Sequence, residues 1–196
     1  MNSVVIDACC LINLLAAEDA LSKPSVQKTQ LKVTSSGNVS STGAVLHVAQ
    51  IIAAESMYLL QPEPDDPSKL IKSPINLDPY FKAGVLHSCD VEGVEETSLF
   101  IAYATKLDDG EAACLAIAKN RGWSLATDDR PATSIANQAG VTVLTTAQLL
   151  KQWARNTKAT KLQITEALLK IQRFAKFVPR PNSPEATWWI SHLAGK

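Results

Sequence analysis

The clearest pattern along the chain is a buried helix followed by a short strand and an aspartate pair, at residues 107–131. Residues 112–118 are apolar on nearly every face, which is typical of a helix packed against a sheet. An acidic turn opens this helix and Gly122 ends it, after which residues suited to a buried strand lead to Asp128 and Asp129. This order predicts an open α/β sheet, in which functional sites lie beyond the carboxyl ends of the strands.

Strand and helix patterns alternate along the rest of the chain as well. Short apolar runs predict strands at residues 4–6, 45–48, 85–87, 123–127 and 141–144. Apolar residues at helical spacing predict helices that include residues 11–15, 51–60, 78–84, 92–106, 130–140, 146–153 and 160–178. In the helix at 92–106, the residues predicted to face the core are Val94, Leu99, Ile101 and Ala102. We expect a central parallel sheet with helices on both faces, in a three-layer α/β/α sandwich with a C-terminal helical extension.

Two regions are distinguished by their composition, a main domain at residues 1–150 and a basic helical extension at residues 151–196. The main domain carries a polar stretch at residues 22–44, which we predict to be a loop or a poorly ordered insert. The extension has a helix that is apolar on one face and basic on the other. Trp188 and Trp189 are expected to pack this extension onto the main domain.

Charge is unevenly distributed, although the net charge is zero. Residues 1–150 hold 10 basic and 17 acidic side chains, whereas residues 151–180 hold eight basic side chains against Glu166 alone. A net charge of zero argues against a simple nucleic-acid binder. An acidic main domain with a basic arm suits either a metal site beside a surface that faces a polyanion, or an arm whose charges are merely solvated.

Composition and cysteine spacing favour a reduced, cytoplasmic globular protein. No apolar run reaches the ~18 residues of a membrane helix, and the first residues lack the features of a signal peptide, so we expect no membrane contact. The cysteines have neither zinc-ligand nor disulfide-framework spacing: Cys9, Cys10, Cys89 and Cys114. We expect them to be buried, reduced thiols.

Several acids follow predicted strands or open predicted helices: Asp7, Asp109, Glu111 and Asp129. Each could serve as a helix cap without any further function. Glu55 differs, because it is predicted in mid-helix among apolar residues, where an unpaired carboxylate is costly. In a parallel sheet, the strands that end at Ile6 and Thr127 finish at the same edge, so we expect these acids to converge on one crevice.

Carboxylates gathered in one crevice imply a cation, since they otherwise repel one another and raise their own pKa values. Oxygen ligands without a convergent His or Cys select Mg²⁺ or Mn²⁺ rather than Zn²⁺. A site of this kind carries out phosphodiester chemistry. One ion activates a water molecule, and a second ion, about 4 Å away, stabilises the leaving oxygen.

Four stretches together resemble the PIN-domain family, the fold of VapC-like toxin ribonucleases: VVIDACCLINLL, IIAAESMYL, LDDGEAACLAIA and LATDDR. The resemblance covers roughly residues 3–150. It implies a PIN-like α/β/α nuclease domain that binds Mg²⁺ or Mn²⁺ and hydrolyses RNA, and many such proteins are toxins of type II toxin–antitoxin pairs. The expected partners are therefore an RNA substrate and a small antitoxin protein, and we also expect a homodimer.

The resemblance assigns roles by motif. The catalytic, metal-binding acids that it implies are Asp7, Glu55, Glu111 and Asp129. Asp128 is an alternate or additional metal ligand, and Thr127 is expected to orient a water molecule on the metal. The candidates for contacts with phosphate are Arg130, Lys119 and Arg121.

The chain departs from the family pattern in two places. Many members carry Thr or Ser just after the first acid, where this chain has Ala8 and Cys9, so a hydroxyl group is missing there. Glu111 stands at a position where Glu replaces Asp in one branch of the family, and the longer side chain lengthens the arm that carries the ligand.

Two other functions compete with the ribonuclease. A PIN-fold binding or scaffold protein with little or no nuclease activity would explain the uneven charge and the Trp188–Trp189 pair. A phosphoryl-transfer enzyme with Asp7 as nucleophile fits less well. Enzymes of the haloacid-dehalogenase type place a second Asp two residues later, where this chain has Cys9.

Overall fold

A five-stranded parallel sheet forms the centre of the computed structural model, which describes residues 3–17 and 44–194. In chain order the strands are β1 (Ser3–Ile6), β2 (Val45–Ala49), β3 (Tyr58–Pro62), β4 (Leu70–Pro74), β5 (Leu86–Cys89), β6 (Ser124–Ala126) and β7 (Val143–Leu144). The helices are α1 (Ala8–Ala16), α2 (Gln50–Ala53), α3 (Asp78–Lys82), α4 (Gly93–Ala104), α5 (Asp109–Arg121), α6 (Arg130–Gln138), α7 (Thr146–Thr157), α8 (Lys161–Lys170) and α9 (Ala186–Leu193). A π-helical turn, Ile171–Ala175, continues α8.

The strand order in the sheet is β5-β2-β1-β6-β7, and every neighbouring pair is parallel. Central strand β1 is a continuous apolar run whose Val4, Val5 and Ile6 are fully buried, as expected for a strand covered on both faces. Helices α4, α5 and α6 pack together in one layer, and α1 contacts α7 and the π-helical turn in the other. The predicted α/β/α sandwich with C-terminal helices is confirmed.

Helix α5 matches the sequence prediction closely. Its residues from Ala112 to Ala118 are all buried, since small side chains allow a helix to approach both the sheet and α4. Gly122 ends the helix with a φ of 65°, the left-handed conformation that favours glycine. The first turn of α5 is thereby held at the carboxyl ends of the strands, where β1 and β6 finish side by side.

The segment after β2 differs from the prediction. Residues 51–60 were expected to form one helix, but α2 ends at Ala53, and β3 pairs with β4 in an antiparallel hairpin. The prolines and aspartates between β3 and β4 make a turn in which Asp66 Oδ1 accepts hydrogen bonds from Ser68. The turn brings β3 and β4 together as a pair. The spacing of apolar residues within residues 51–60 does not reveal this pairing, because the partner strand lies beyond the turn. The polar stretch 22–44 lies outside the described residues except for Ala44.

Helix α4 presents a different face to the core than the sequence predicted. Val94 and Ile101 are 76% and 62% exposed, and Ala102 is also exposed. Phe100 and Tyr103 pack on the core instead. The carboxylate of Glu96, which is 2% exposed, binds Arg121 of α5. This ion pair turns the Glu96 side of α4 towards α5, an orientation that the pattern of apolar residues alone did not predict.

The C-terminal helices share the core of the main domain. Trp189 of α9 is fully buried, and its ring meets that of Phe177 edge to face at 5.8 Å. Val178, the last residue of the helix predicted at 160–178, is 56% exposed, because the π-helical turn ends before it. The boundary predicted at residue 150 falls within α7, and the division into two domains stays a prediction.

Two further sequence expectations concern the membrane and the thiols. Among the helices of the described ranges, none combines the length and apolarity that crossing a bilayer requires. All four cysteines are free thiols; Cys10, Cys89 and Cys114 are buried and Cys9 is partly buried.

Replacing the buried tryptophan tests whether α9 is part of the folded core. Trp189→Ala should lower the free energy of unfolding by about 3–5 kcal/mol, because it leaves a large cavity. Ile190→Ala is the matched control: its side chain is 59% exposed, so its effect should stay within about 0.5 kcal/mol. Urea denaturation measures both. Equal effects of the two substitutions would show that α9 does not pack as described.

Candidate active site

Five carboxylates converge at the carboxyl edge of β1 and β6. Asp7 directly follows β1, and Asp129 comes three residues after the end of β6. Asp108 and Glu111 belong to the first turn of α5, and Glu55 follows α2. Four separate parts of the chain thus bring negative charge to one place, as the sequence predicted for all of these residues except Asp108.

Asp7 is the buried member of this acidic cluster. Its Oδ1 accepts a hydrogen bond from the N–H of Ala8 at 2.7 Å, which caps α1. Its Oδ2 accepts from Cys9 Sγ and from Thr127 Oγ1, both at 3.0 Å. Burial raises the pKa of Asp7, these three hydrogen bonds lower it in part, and the charge of Asp108 raises it further.

Glu111 is the acid whose proton affinity the cluster changes most. Burial, followed by the charges of Asp108, Asp129 and Asp7, raises the pKa of Glu111 to about 7. Its own N–H donates to Asp108 Oδ1 at 2.8 Å, so Asp108 is the N-cap of α5 as well as a neighbouring charge. This geometry keeps the two carboxylates one helical turn apart on the same side of α5.

Glu55 joins the cluster from a turn, not from the middle of a helix. It is exposed, and its Oε1 lies so close to Gly110 that a Cβ built there would meet it at 2.6 Å. Burial, then the charges of Asp108 and Asp7, raise the pKa of Glu55. The sequence predicted the wrong local structure for this residue, but its carboxylate still lies against the first turn of α5.

Thr127 connects the two strand ends that carry the cluster. Its side chain is fully buried, donates to Asp7 Oδ2 and accepts from the N–H of Asp129 at 3.1 Å. Cys9 Sγ lies 3.7 Å from the same hydroxyl. The cysteine therefore occupies the position for which the sequence analysis noted a missing hydroxyl, and its thiol donates to Asp7 in place of one.

Asp128 points away from the acidic cluster. Its carboxylate accepts hydrogen bonds from Cys10 Sγ, from Asn13 Nδ2 at 3.2 Å, and from the backbone and hydroxyl of Thr146. It binds the end of β6 to α1 and α7, and it is absent from the charges that raise the pKa of Asp7 and Glu111. The expected role as an alternate ligand in the cluster has no geometric support.

A second group of possible ligands adjoins the cluster. Within the part of the chain that the structure describes, Cys9, Cys10 and Asp128 are the residues whose ligand atoms all lie within 4.8 Å of one another. The carboxylates of the acidic cluster are more widely spaced. The thiol group of Cys9 thus separates the two groups, with Asp7 on one side and Asp128 on the other.

The three basic residues predicted to contact phosphate fall in two places. Arg130 is exposed at the start of α6, next to Asp129. Lys119 and Arg121 lie in the last turn of α5, at the far end of that helix from Glu111.

Lys119 and Arg121 have structural partners at that far end. Lys119 Nζ donates to Ala139 O at 2.8 Å, and Arg121 Nε donates to Glu96 at 2.7 Å. The hydrogen bond from Arg121 holds the pKa of Glu96 down to about 2. For Lys119 and Arg121 the expectation of phosphate contact is therefore corrected: these side chains connect elements of the fold.

Two residues of this region, Asp108 and Arg180, were not among the predicted site residues. Asp108 belongs to the LDDG turn, and its spacing of three from Glu111 is a detectable signal, because residues i and i+3 share a helix face. Arg180 comes from the C-terminal arm, and its Nη2 donates to the backbone oxygen of Asp128 at 3.1 Å. No local sequence pattern reveals the contact between Arg180 and Asp128, since 52 residues separate them along the chain.

A parallel sheet between two layers of helices, with acids at the carboxyl ends of its central strands, defines an α/β fold of the three-layer class. A family model described as DUF3368, a PIN domain, matches residues 80–180, just over half of the chain. The chain therefore belongs to the PIN-domain family, as its sequence predicted. Neither a curated protein nor a solved structure matches it.

The raised pKa of Glu111 predicts how stability depends on pH. The folded carboxyl keeps its proton up to about pH 7, whereas the unfolded one loses it near 4.5, so in EDTA stability should fall as the pH rises between these values. Because Glu111 is only half-buried, solvent screening limits this fall in the free energy of unfolding to about 1 kcal/mol, which corresponds to a decrease of about 2–4 °C in Tm. Glu111→Gln should reduce this fall by that amount, as measured by thermal denaturation from pH 4 to 8.

Glu95→Gln is the control for this measurement. Glu95 is an exposed acid in the first turn of α4, so its replacement should leave the pH profile unchanged. A Glu111→Gln profile identical to that of the parent would contradict the electrostatic description of the cluster.

Proposed function

We propose that this protein is a Mg²⁺- or Mn²⁺-dependent ribonuclease that hydrolyses RNA phosphodiesters at the acidic cluster. The observation that carries the proposal is the uncompensated charge of the cluster. Within residues 3–17 and 44–194, no lysine, arginine or histidine forms an ion pair with Asp7, Glu55, Asp108, Glu111 or Asp129. Membership of the PIN-domain family, whose members are typically nucleases, supports the same conclusion.

The donor set fits a hard divalent cation. All the cluster members offer carboxylate oxygens, which Mg²⁺ and Mn²⁺ prefer. Burial, and after it the charges of neighbouring carboxylates, raise the pKa values of Asp7, Glu55 and Glu111, and a bound cation would offset both effects. Asp7, Glu55, Glu111 and Asp129 would hold the metal, with Asp108 beside them. When bound, such ions lower the pKa of water and stabilise charge on a leaving oxygen.

The remaining residues position these ligands. Thr127 Oγ1 binds both Asp7 and the N–H of Asp129, so it fixes the separation of two ligands that follow neighbouring strands. The thiol of Cys9 gives Asp7 a second donor and restricts the rotation of its carboxylate. Arg130, exposed at the start of α6 next to Asp129, would contact a phosphate of the RNA.

We further propose that the ribonuclease is the toxin of a type II toxin–antitoxin pair, a VapC-like protein that acts in the cytoplasm. Its partners would be a small antitoxin protein and a second copy of the chain. The alternative, a PIN-fold scaffold with little or no nuclease activity, is favoured by one observation: Val94 and Ile101 are largely exposed, two helical turns apart on α4. Exposed apolar side chains of this kind suit a protein partner as well as a toxin dimer.

Substitution of the buried aspartate tests the ribonuclease proposal. Asp7→Asn keeps an oxygen that can cap α1 but removes the charge that a metal needs, so cleavage of RNA in Mn²⁺ should fall at least about a hundredfold, a typical loss for a metal-site change. Release of fragments from a fluorescent RNA measures the rate.

Asp109→Asn is the matched control for charge. Asp109 lies in the same helical turn as Glu111 but contributes to none of the raised pKa values, so its variant should retain activity. Full activity of Asp7→Asn, or of the parent in EDTA, would exclude metal-dependent hydrolysis at this cluster and leave the scaffold alternative.

Glu55 provides a test that does not depend on catalysis. Because its carboxylate is exposed and accepts no hydrogen bond from the described residues, Glu55→Ala should leave the metal-free protein equally stable or more stable. The increase in Tm that Mn²⁺ produces should shrink, since one ligand is lost. Asp109→Ala should show the full increase. A large loss of metal-free stability in Glu55→Ala would instead assign the residue a structural role.

A further inference from the structure

A small cavity of about 130 Å³ lies between the C-terminal arm and the start of α6. Residues from three separate segments line it, among them Asp128, Thr133, Thr145, Phe177, Arg180 and Ser183. A water molecule takes about 30 Å³ in the liquid, so the space holds roughly four waters or one flat ring. The cavity is thus large enough for a group the size of a nucleobase.

The cavity borders the acidic cluster through consecutive residues. Arg180 Nη2 donates to the backbone oxygen of Asp128, and the next residue, Asp129, belongs to the cluster. Thr133, on the cavity wall, donates its hydroxyl to the backbone oxygen of Asp129. Two residues that line the cavity, Arg180 and Thr133, therefore contact the backbone of Asp129 or of the residue just before it.

Two polar groups of the cavity are available to a ligand. Arg180 is exposed, and within the described ranges no carboxylate forms an ion pair with it. The Oγ of Ser183 is buried and has no hydrogen-bond partner in the same ranges, which is unusual because buried hydroxyls are normally satisfied. A cation, an unsatisfied hydroxyl and the aromatic ring of Phe177 together match the phosphate, the polar edge and the apolar face of a nucleotide.

We propose that this cavity is a nucleotide subsite for the RNA substrate, next to the scissile phosphate. Arg180 binds a phosphate of the RNA, and Ser183 forms a hydrogen bond with the base or ribose that rests on Phe177. The inference rests on the proposed ribonuclease function, because it names a second contact for the same substrate. It also gives the basic C-terminal arm a specific role, since Arg180 brings that arm to the acidic site.

Binding of RNA, measured separately from cleavage, tests the subsite. Full-length Asp7→Asn protein, which we expect not to cleave, is titrated against a fluorescein-labelled ten-nucleotide RNA of mixed sequence, and Kd is read from fluorescence anisotropy. Adding Arg180→Ala should raise Kd about tenfold and lower the salt dependence of binding by one phosphate contact.

Arg173→Ala is the matched control. Arg173 is an exposed arginine of the same arm, and it likewise donates to a backbone oxygen, that of Pro67 at 3.3 Å, but it does not line the cavity. Its loss removes the same charge, so Kd should change less than twofold. Equal weakening by Arg173→Ala and Arg180→Ala would show general attraction to the arm and overturn the subsite.

Ser183→Leu tests the cavity without removing charge. The larger side chain fills the space, so it should weaken RNA binding while the Tm stays near that of the parent. Parent-like RNA binding by Ser183→Leu would overturn the proposal. Cleavage of RNA by the wild-type chain tests the ribonuclease function independently. If the chain cleaves RNA but Arg180→Ala weakens RNA binding no more than Arg173→Ala does, only the subsite is refuted. If Arg180→Ala selectively weakens RNA binding but the chain cleaves no RNA, only the enzymatic function is refuted.

Discussion

Asp7 and Thr127 form a hydrogen bond across the adjoining ends of β1 and β6, and the geometry of the site depends on this contact. Both side chains are buried, and each residue directly follows one of two strands that pair in parallel. Backbone pairing therefore sets the separation of the first acid from Asp129, whose N–H donates to the same threonine. A cluster of like charges needs such support, because carboxylates repel one another; after burial, the charges of Asp108, Asp129 and Asp7 are what raise the pKa of Glu111.

The parts of the site that the sequence predicted are those encoded locally. An apolar run that stops at Asp7, and a helix of small residues that opens with acids, each place a carboxylate at a known end of an element. Parallel topology then brings those ends together without any information about side-chain contacts. This reasoning was sufficient for Asp7, Glu111 and Asp129, and for the alternation of strands and helices that defines the fold.

The errors have a common cause, which is contact between residues distant in sequence. Helical spacing predicted a helix through Glu55, but pairing of β3 with β4 overrides it. Apolar residues of α4 were placed inward, but the contact of Glu96 with Arg121 orients that helix. The sequence did not distinguish Asp128 from Asp129, but in the structure the carboxylate of Asp128 binds Asn13 and Thr146. In each case a pairwise interaction decided between alternatives that composition leaves equal.

The position of the basic C-terminal arm explains the uneven charge of the chain, because Arg180 of this arm contacts the backbone next to the acidic cluster. An acidic cluster repels RNA, so the proposed ribonuclease needs positive charge close to the site but not paired with its ligands. Arg121 does not provide it, because Glu96 neutralises it at the far end of α5. Arg180 meets both conditions, since it binds a backbone oxygen, not a carboxylate, directly beside the cluster. The basic extension therefore complements the acidic domain without cancelling the charge that would hold the metal.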